Sequence, residues 1–594
     1  MTPTDSHGRN SLSDGGWGIT GTARLLIGLI QGLILAWLIH TAEGEVARHV
    51  WPATRPDLYG PMILVAAYLP SVLLAGVGRL RLLTLVLWGL GAAALLALLG
   101  WSDIARQSVQ DLNGPPFLDF PLLPFAAAAL FIAHHLILPA DRERRLIAAF
   151  PTYFDTAWLA GVQLALSIGF TLAFWLLLNL GGALFGLIGL KQLNDLLRET
   201  WFVLPLLGVA FALAVQLTDV RPGLIRGVRS VALMLLSWLL LVITVLVGGF
   251  LAALPFTGME GLWRTGSATA LVLAAAGALI ILINTAYQDG QPDNRPPAVL
   301  RIAVRVASVL LTPLIAIAVW GLSLRIGQYG LTPDRIIASA CALVGAVYAG
   351  GYGLAALSPF WRGGDWMKPL ERTNVFAAVL TVAVIVCLFT PIADPARLSV
   401  ASQVARLERG AVAPDKFDYR FLRFESGRAG EAALARLARS SDREIARRAK
   451  EARAVKERYD FPDTDRTEMT PVFETWPAGS PLPDGLAVPV APRDPRMACR
   501  APGDCVVTAA DLNGDGRQDV LIATSHSVEL MERRTDGWTA IGAYRPVICN
   551  PDQRIDPRAL LRQGKLGPKP AAWPDVQIEG GATIRLTSPL PCID

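Results

Sequence analysis

An acidic loop near the C-terminus has the residue types and spacing of a calcium site. Side chains that carry oxygen stand at positions 1, 3, 5 and 9 of the loop, and a glycine at position 6 permits a sharp turn. Position 12 is Ile522 instead of glutamate, so the loop is not a complete EF-hand. The predicted ligands of one structural Ca²⁺ are the side chains of Asp511, Asn513, Asp515 and Asp519 and the backbone carbonyl of Arg517.

The sequence on both sides of this loop is rich in β-forming residues, as VVTAADLNGDGRQDVLIATSHSVELME shows. The arrangement resembles the strand-loop-strand calcium loops of FG-GAP-type repeats. The chain holds one copy, so a propeller of several blades is not predicted. The alternative is an acidic hairpin turn that binds no metal.

The six cysteines fall into two groups. Cys341 and Cys387 lie in apolar segments, where a free thiol behaves as a small apolar group. The other four follow the last apolar segment, and an even number in an oxidising compartment predicts two disulfides. Four cysteines allow three pairings. The favoured pairs are Cys499–Cys505 and Cys549–Cys592.

The sequence gives little support to an enzyme. It contains no GxSxG, HExxH or Walker motif, and no GxGxxG in a strand-to-helix setting. Its six histidines form no spaced cluster, which argues against a zinc enzyme. We therefore expect a protein without catalytic activity, with a membrane enzyme at the cytoplasmic rim as the alternative.

The composition predicts a membrane part followed by a soluble part. Of the 594 residues, 17% are charged and 53% are hydrophobic, and the mean hydropathy is +0.42. Residues 1–390 hold 24 Lys/Arg and 20 Asp/Glu, whereas residues 391–594 hold 30 and 29. The resulting balances of +4 and +1 exclude a strongly basic nucleic-acid-binding protein.

Eleven segments have the length and apolar character of a membrane-spanning helix, for which about 20 residues are needed. They are residues 24–40, 59–78, 82–100, 120–139, 157–180, 201–218, 230–253, 267–286, 302–324, 336–357 and 374–392. The stretch 181–197 begins apolar and becomes polar, and it is interpreted as an interfacial or re-entrant piece. A twelfth crossing at that stretch would reverse the orientation of the C-terminal tail.

The distribution of basic residues predicts the orientation. With the N-terminus in the cytoplasm, the inner segments carry sixteen Lys/Arg and the outer loops carry eight. This excess has the sign of the positive-inside rule. We therefore expect a bacterial inner-membrane protein with a cytoplasmic N-terminus and a periplasmic C-terminus.

Polar groups are scarce within the predicted spans, and those present are candidates for a ligand or ion site. His134 and His135 lie near the inner end of the fourth span, either as an interfacial pair or as a proton-sensitive or ligand-contacting pair. Neutral groups that a transport path could use are Gln31, Gln163, Asn179, Gln216 and Asn284. The glycine pair Gly28 and Gly32 forms a GxxxG motif, which is interpreted as packing within the chain rather than dimerisation.

A second candidate site is a polar rim at the cytoplasmic ends of the spans. Carboxylates and guanidinium groups there either bind a charged ligand or a cation, or cap and lock the helices. The convergence of these groups is a prediction of the sequence. The rim residues are Asp155, Asp219, Arg221, Asp289, Arg372 and Asn374.

Residues ~150–430 resemble a bacterial membrane family known as domain of unknown function 4153. The resemblance is carried by PTYFDTAW, LTDVRPGL, GFLAALPFTG, LINTAYQDG, LRIGQYGLTPDR, LERTN, DPARLSVASQVARL and KFDYRFLRF, which occur in this order. It implies a multi-spanning inner-membrane protein of Gram-negative bacteria. It brings no established activity, substrate or catalytic residue.

The predicted fold is an all-α polytopic membrane bundle followed by a periplasmic helical segment and a small β-rich domain. The predicted divisions are a cytoplasmic tail, the bundle, the helical segment, a Pro-rich linker and the β-rich domain, at residues 1–23, 24–392, 393–458, 459–496 and 497–594. The favoured function is a non-catalytic envelope scaffold or sensor, in contact with the lipid bilayer and with a periplasmic protein partner. The alternatives are a transporter with a neutral polar path and a membrane enzyme acting on a lipid-linked substrate at the cytoplasmic rim.

Overall fold

The chain forms two compact units, Met1–Arg458 and Tyr459–Asp594. The structure is a computed structural model. It describes residues 18–43, 49–108, 118–220, 222–258, 268–358, 366–455, 469–490, 494–534, 537–544, 555–566, 576–577 and 583–584.

Within these ranges, eleven helices of the first unit are long and apolar enough to cross a membrane. They are α1 (Gly18–Thr41), α2 (Pro56–Gly76), α3 (Leu82–Arg106), α4 (Leu122–Glu143), α5 (Phe150–Leu187), α7 (Thr200–Val220), α8 (Pro222–Thr257), α9 (Ala268–Tyr287), α10 (Ala298–Tyr329), α11 (Pro333–Leu357) and α12 (Pro369–Leu388). Each predicted segment overlaps one of these helices, so the predicted count of eleven is confirmed. Their apolar surfaces imply a lipid bilayer environment.

Several helices are longer than the apolar segments predicted. Helix α5 has 38 residues, which corresponds to about 57 Å at 1.5 Å per residue. It therefore exceeds the ~30 Å hydrocarbon core of a bilayer. It includes residues 181–187, and the short helix α6 (Gln192–Leu196) follows. A side chain at Gly182 would overlap Asn194 of α6, so the start and the end of the stretch 181–197 pack on each other.

The glycines of α1 let this helix pack closely against α7. A Cβ atom at Gly28 would overlap the carbonyl oxygen of Gly208, and one at Gly32 would overlap the backbone of Pro205. The close approach is within one chain, which confirms the predicted role of the GxxxG motif. Small residues at such crossings maximise van der Waals contact where lipid provides no hydrophobic driving force.

Two large apolar clusters lie in the described part of the bundle, in addition to a small one that includes Leu38 and Tyr59. One joins α8, α9, α10 and α11 and includes the fully buried Leu279, Leu311 and Tyr352. The other joins α2, α3 and α4 with parts of α11 and α12 and includes Leu64 and Leu96.

Four short helices after α12 form a compact segment that we call the lid, residues 395–454. It comprises α13 (Pro395–Glu408), α14 (Tyr419–Phe424), α15 (Gly427–Leu437) and α16 (Arg443–Ala454). Gln403 of α13 donates a hydrogen bond of 2.8 Å to the carbonyl of Leu331, between α10 and α11. Arg428 of α15 donates one of 3.2 Å to the carbonyl of Gln107, just after α3. The lid therefore covers the end of the bundle at which α3 ends.

The second unit contains a five-stranded sheet with the strand order β1-β2-β3-β4-β5. Its strands are β1 (Glu474–Thr475), β2 (Val506–Ala510), β3 (Asp519–Ala523), β4 (Val528–Arg534) and β5 (Gly537–Tyr544). Strand β1 pairs parallel to β2, and the remaining pairs are antiparallel. The short helix α17 (Pro557–Arg562) and the hairpin β6 (Val576–Gln577) and β7 (Thr583–Ile584) follow. The segment expected to be a linker thus supplies one strand, and its Leu486 is fully buried.

Candidate functional site

The first turns of α1 contain a buried arginine. Arg24 is only 2% exposed. Its guanidinium donates hydrogen bonds of 2.6 Å to Gln216 Oε1, 2.7 Å to Asp219 Oδ2 and 3.0 Å to the carbonyl of Val77. One side chain therefore joins the start of α1 to the ends of α2 and α7.

A second arginine contacts the same carboxylate from the turn between α2 and α3. Arg79 donates hydrogen bonds to the other carboxylate oxygen of Asp219 and, at 2.8 Å, to Gln163 Oε1. The Gln163 amide in turn donates to the Val215 carbonyl and to Thr218 Oγ1, both at 3.1 Å. We call the group of Arg24, Arg79, Gln163, Gln216 and Asp219 the Asp219 clamp.

The chemistry of the Asp219 clamp suits the locking of helices. Arginine stays protonated in proteins, so the two guanidinium groups are donors that cannot relay a proton. Charge-assisted hydrogen bonds to a carboxylate are stronger than neutral ones, and here they cross between α1, α5, α7 and the α2–α3 turn. The arginines also lie by the C-termini of α2 and α7, where a positive charge interacts favourably with the helix dipole.

His134 and His135 are both buried in α4, at 3% and 7% exposure. Helix α4 continues to Glu143, so the pair lies deeper in the helix than the sequence indicated. Nδ1 of His134 is 3.1 Å from the indole nitrogen of Trp88, and Nδ1 of His135 is 2.7 Å from the carbonyl of Phe131. Trp88 is a donor only, so Nδ1 of His134 is the acceptor and a neutral His134 ring carries its proton on Nε2.

A closed ring of three hydrogen bonds joins α9, α11 and α12. The Asn284 amide donates to the Tyr352 hydroxyl at 2.7 Å, and this hydroxyl donates to Asn374 Oδ1 at 2.6 Å. The Asn374 amide completes the ring at 2.7 Å to Asn284 Oδ1. We call this group the Asn-Tyr-Asn ring. Each of its three side chains both donates and accepts, so the ring fixes the spacing of three helices.

The residues of the predicted polar rim belong to separate hydrogen-bonded groups. Asp155 pairs with Arg229 at 2.7 Å, and Asp289 accepts from the side chain of Asn294 at 2.8 Å. Arg372 is exposed. Across the described ranges, no hydrogen bond or ion pair joins Asp155, Asp219, Asp289 and Arg372 to one another. The predicted Arg221 lies outside the described residues.

The neutral polar groups expected along a transport path are also distributed among different groups. Gln163 and Gln216 both belong to the Asp219 clamp, and Asn284 belongs to the Asn-Tyr-Asn ring. Gln31 donates a hydrogen bond of 2.9 Å to the carbonyl of Ala67. Asn179 is exposed and donates 2.9 Å to the carbonyl of Trp175, one turn earlier in the same helix. The five side chains are therefore divided among four separate sets of partners.

Sequence reasoning missed Arg24, Arg79 and Tyr352 as members of the site. Arg24 and Arg79 were counted only as charges of the inner segments. A usable signal was present for Arg24, because residues 24, 28 and 32 follow at helical intervals of four and share one face of α1. The face that packs on α7 through its glycines therefore carries the arginine as well.

The acidic loop of the second unit satisfies its carboxylates with its own amides. Asp511 accepts from the amides of Gly514 at 2.7 Å and Gly516 at 2.9 Å. Asp519 is buried and accepts from the Leu512 amide at 3.1 Å. Within the described part of the chain, no group of three or more His, Cys, Asp or Glu side chains could hold a metal ion. The calcium site therefore stays a prediction of the sequence.

The cysteines of the second unit confirm one predicted pair. Cys499 and Cys505 form a disulfide, and both are fully buried beside strand β2. The favoured partners Cys549 and Cys592 lie outside the described residues. Cys341 in α11 and Cys387 in α12 are free thiols, as the sequence predicted.

Comparison with known proteins identifies a family for this chain. The family model described as "Domain of unknown function (DUF4153)" matches residues 50–437, which is more than half of the chain. No curated protein and no solved structure matches the chain. The matched range includes most of the Asp219 clamp, the whole Asn-Tyr-Asn ring and most of the lid.

Proposed function

The chain belongs to the DUF4153 family of multi-span membrane proteins, and on that premise we propose that it is a non-catalytic scaffold or sensor of the bacterial envelope. Its membrane domain holds the protein in the inner membrane with a cytoplasmic N-terminus. Its second unit contacts a protein partner in the periplasm.

The hydrogen bonding inside the membrane domain is the observation that carries this proposal. Polar side chains in a bilayer are costly, so those that persist usually serve a site or bind helices together. In the Asp219 clamp and the Asn-Tyr-Asn ring they bond directly to side chains of neighbouring helices, at 2.6–2.8 Å. This arrangement supports a rigid bundle.

The same observation speaks against the two alternatives. A transporter with a neutral path needs its polar groups beside one passage, but Gln163, Asn179 and Asn284 bond to different partners. An enzyme at the rim needs carboxylates that converge on a substrate. The carboxylates of Asp155 and Asp219 are instead paired with arginines.

The disulfide supports the periplasmic placement of the second unit. Disulfides persist in oxidising compartments such as the bacterial periplasm and are rare in the cytoplasm. The Cys499–Cys505 bond is buried in the core of the sheet. The odd number of candidate spans in the described ranges agrees with the proposal that the termini lie on opposite sides of the membrane.

A photo-crosslinking experiment in living cells tests the proposal. Tyr544 at the end of β5 is 58% exposed and is a suitable position for a photo-reactive amino acid. We expect one discrete crosslinked species from the full chain. The control is a chain of residues 1–458, which lacks the second unit and carries the same photo-reactive amino acid at Arg439 of the lid. This control should give no such crosslinked species. An alkaline phosphatase fused after residue 594 should be active. An inactive phosphatase fusion, with an active cytoplasmic reporter at the same position, would contradict the proposal.

A further inference from the structure

The second unit contains an open groove between the end of the β4–β5 hairpin and a proline-rich segment. Its cavity measures about 740 Å³, within the ~300–1,000 Å³ range of ligand pockets. The lining residues come from residues 481–484, from residues 517–518, and from the β4–β5 hairpin, which supplies Arg533, Arg534 and Trp538. All of these lining residues lie in the described ranges.

The walls of the groove are held in place by bonds to the rest of the unit. The indole N–H of Trp538 donates a hydrogen bond of 3.0 Å to the carbonyl of Asp484, and this bond connects the hairpin to the proline-rich segment. The buried Arg496 donates a hydrogen bond of 2.9 Å to the carbonyl of Leu486, which holds the proline-rich segment to the rest of the unit. Pro481 and Pro483 restrict the backbone further. A groove with fixed walls costs little ordering on binding.

The groove carries an excess of positive charge. Three arginines, Arg517, Arg533 and Arg534, line it together with one carboxylate, Asp484. Arg534 pairs with Glu532 at 3.0 Å, and both side chains are exposed enough for water to screen the pair. Arg533 and Trp538 are directly opposite in the β4–β5 register, so the two side chains lie on the same face of the hairpin.

We propose that this groove binds an acidic peptide segment of the partner protein. Guanidinium groups recognise carboxylates by charge-assisted hydrogen bonds. Arginine and tryptophan are the residue types that dominate binding energy at protein interfaces. The arginines come from two separate stretches, and Trp538, Pro481 and Pro483 add apolar wall that a small anion would leave unused. An extended chain with alternating carboxylates and apolar side chains uses both features.

This inference rests on the proposed function, because it names the chemistry of the partner. The probe is a fluorescein-labelled peptide with four Glu-Phe repeats, measured by fluorescence anisotropy with the full chain in detergent. We expect binding that weakens with added NaCl, since exposed charge pairs are screened by salt. Arg533→Glu should weaken binding by about tenfold or more.

Arg500→Glu is the matched control. Arg500 is an exposed arginine of the same unit and does not line the groove, so this variant should bind the peptide like the original chain. Equal binding by Arg533→Glu, equal binding of a peptide with Gln-Phe repeats, or displacement by citrate at equal carboxylate concentration would each overturn the proposal. If peptide binding fails while the Tyr544 crosslink forms, the groove assignment is wrong and the proposed function stands.

Discussion

Arg24 and Asp219 are separated by 195 positions in the chain and meet at 2.7 Å. The pair joins the first spanning helix to the sixth, at a crossing that is already close because Gly28 and Gly208 lack side chains. Arg79 binds the second oxygen of the same carboxylate. One acidic side chain is thus shared by two arginines at one end of the bundle.

Asp219→Asn should destabilise the membrane domain strongly. The substitution leaves the buried Arg24 without its counter-charge, and removal of one partner of a buried pair costs about 3–5 kcal/mol. Asp155→Asn removes the same charge from an ion pair whose carboxylate is half exposed, so it should cost no more than about 1 kcal/mol. Thermal unfolding in detergent measures the stability of both variants. A loss of stability in Asp219→Asn that is no larger than the loss in Asp155→Asn would contradict a stabilising role of the Asp219 clamp.

Two glycine-to-alanine substitutions should have opposite effects on the stability of the membrane domain. Gly28→Ala places a methyl group against the backbone of Gly208, and overpacking of this kind costs about 1–3 kcal/mol. Gly91→Ala in α3 meets no atom within 4 Å, so the higher helix propensity of alanine should stabilise it by up to about 1 kcal/mol. Unfolding temperatures of the two variants, each compared with the original chain, check the prediction. A stabilised Gly28→Ala variant would refute the close crossing of α1 and α7.

The lid should loosen in acid. Arg447 and then Arg448, both bonded to Glu444, lower the pKa of that exposed carboxyl from 4.5 to about 2. A lowered pKa means that the stabilisation is fully present above pH ~4.5 and is lost as the pH falls toward 2. Hydrogen exchange of α16, corrected for intrinsic rates, should therefore increase from pH 5 to pH 2.5.

Glu444→Gln removes the titrating group and should abolish most of this difference between the two pH values. Glu451→Gln, two turns later in α16, removes the same charge from a position that bonds to Arg447 alone. It should leave the difference largely intact. An α16 that is protected equally at both pH values in the original chain would refute the role of Glu444.

Calcium should protect the acidic loop from trypsin, which cleaves after Arg517. The ion would neutralise the carboxylates of Asp511, Asp515 and Asp519 and fix the loop, and extracellular calcium modules bind at ~10⁻⁴–10⁻³ M. Cleavage after Arg517 in the full chain should slow at millimolar calcium, while cleavage after the exposed Arg500 serves as the internal control. Asp515→Ala should remove the protection. A cleavage rate that calcium does not change would contradict the calcium site and favour an acidic turn that binds no metal.

The sequence predicted the membrane bundle well because the signal for a spanning helix is local. About 20 apolar residues mark a span regardless of its neighbours, and the eleven predicted segments match eleven described helices. The Cys499–Cys505 bond was also local, since six positions separate the two cysteines. Strand β1 was missed because a two-residue strand inside a proline-rich stretch has no periodicity to detect.

The site could be predicted only in part, because its members come together through the packing of helices. The motifs NTAYQDG and ERTN drew attention to Asn284 and Asn374, but Tyr352 between them resembles any aromatic residue of an apolar helix. Asp219 was a candidate, whereas its partners Arg24 and Arg79 resembled ordinary charges at helix ends. Knowing which helices are neighbours would have been needed to group them.

The most direct test of the rigid, polar-bonded bundle is the water accessibility of its polar positions in the membrane. Single reactive cysteines at Gln163 and Asn284 are treated with a membrane-impermeant maleimide from either side, in a chain that keeps the Cys499–Cys505 disulfide and has Cys341, Cys387, Cys549 and Cys592 replaced by alanine. A cysteine at the exposed Asp155 is the positive control. The scaffold proposal predicts labelling of the control alone. Labelling at both Gln163 and Asn284 would reveal a continuous aqueous path and contradict it.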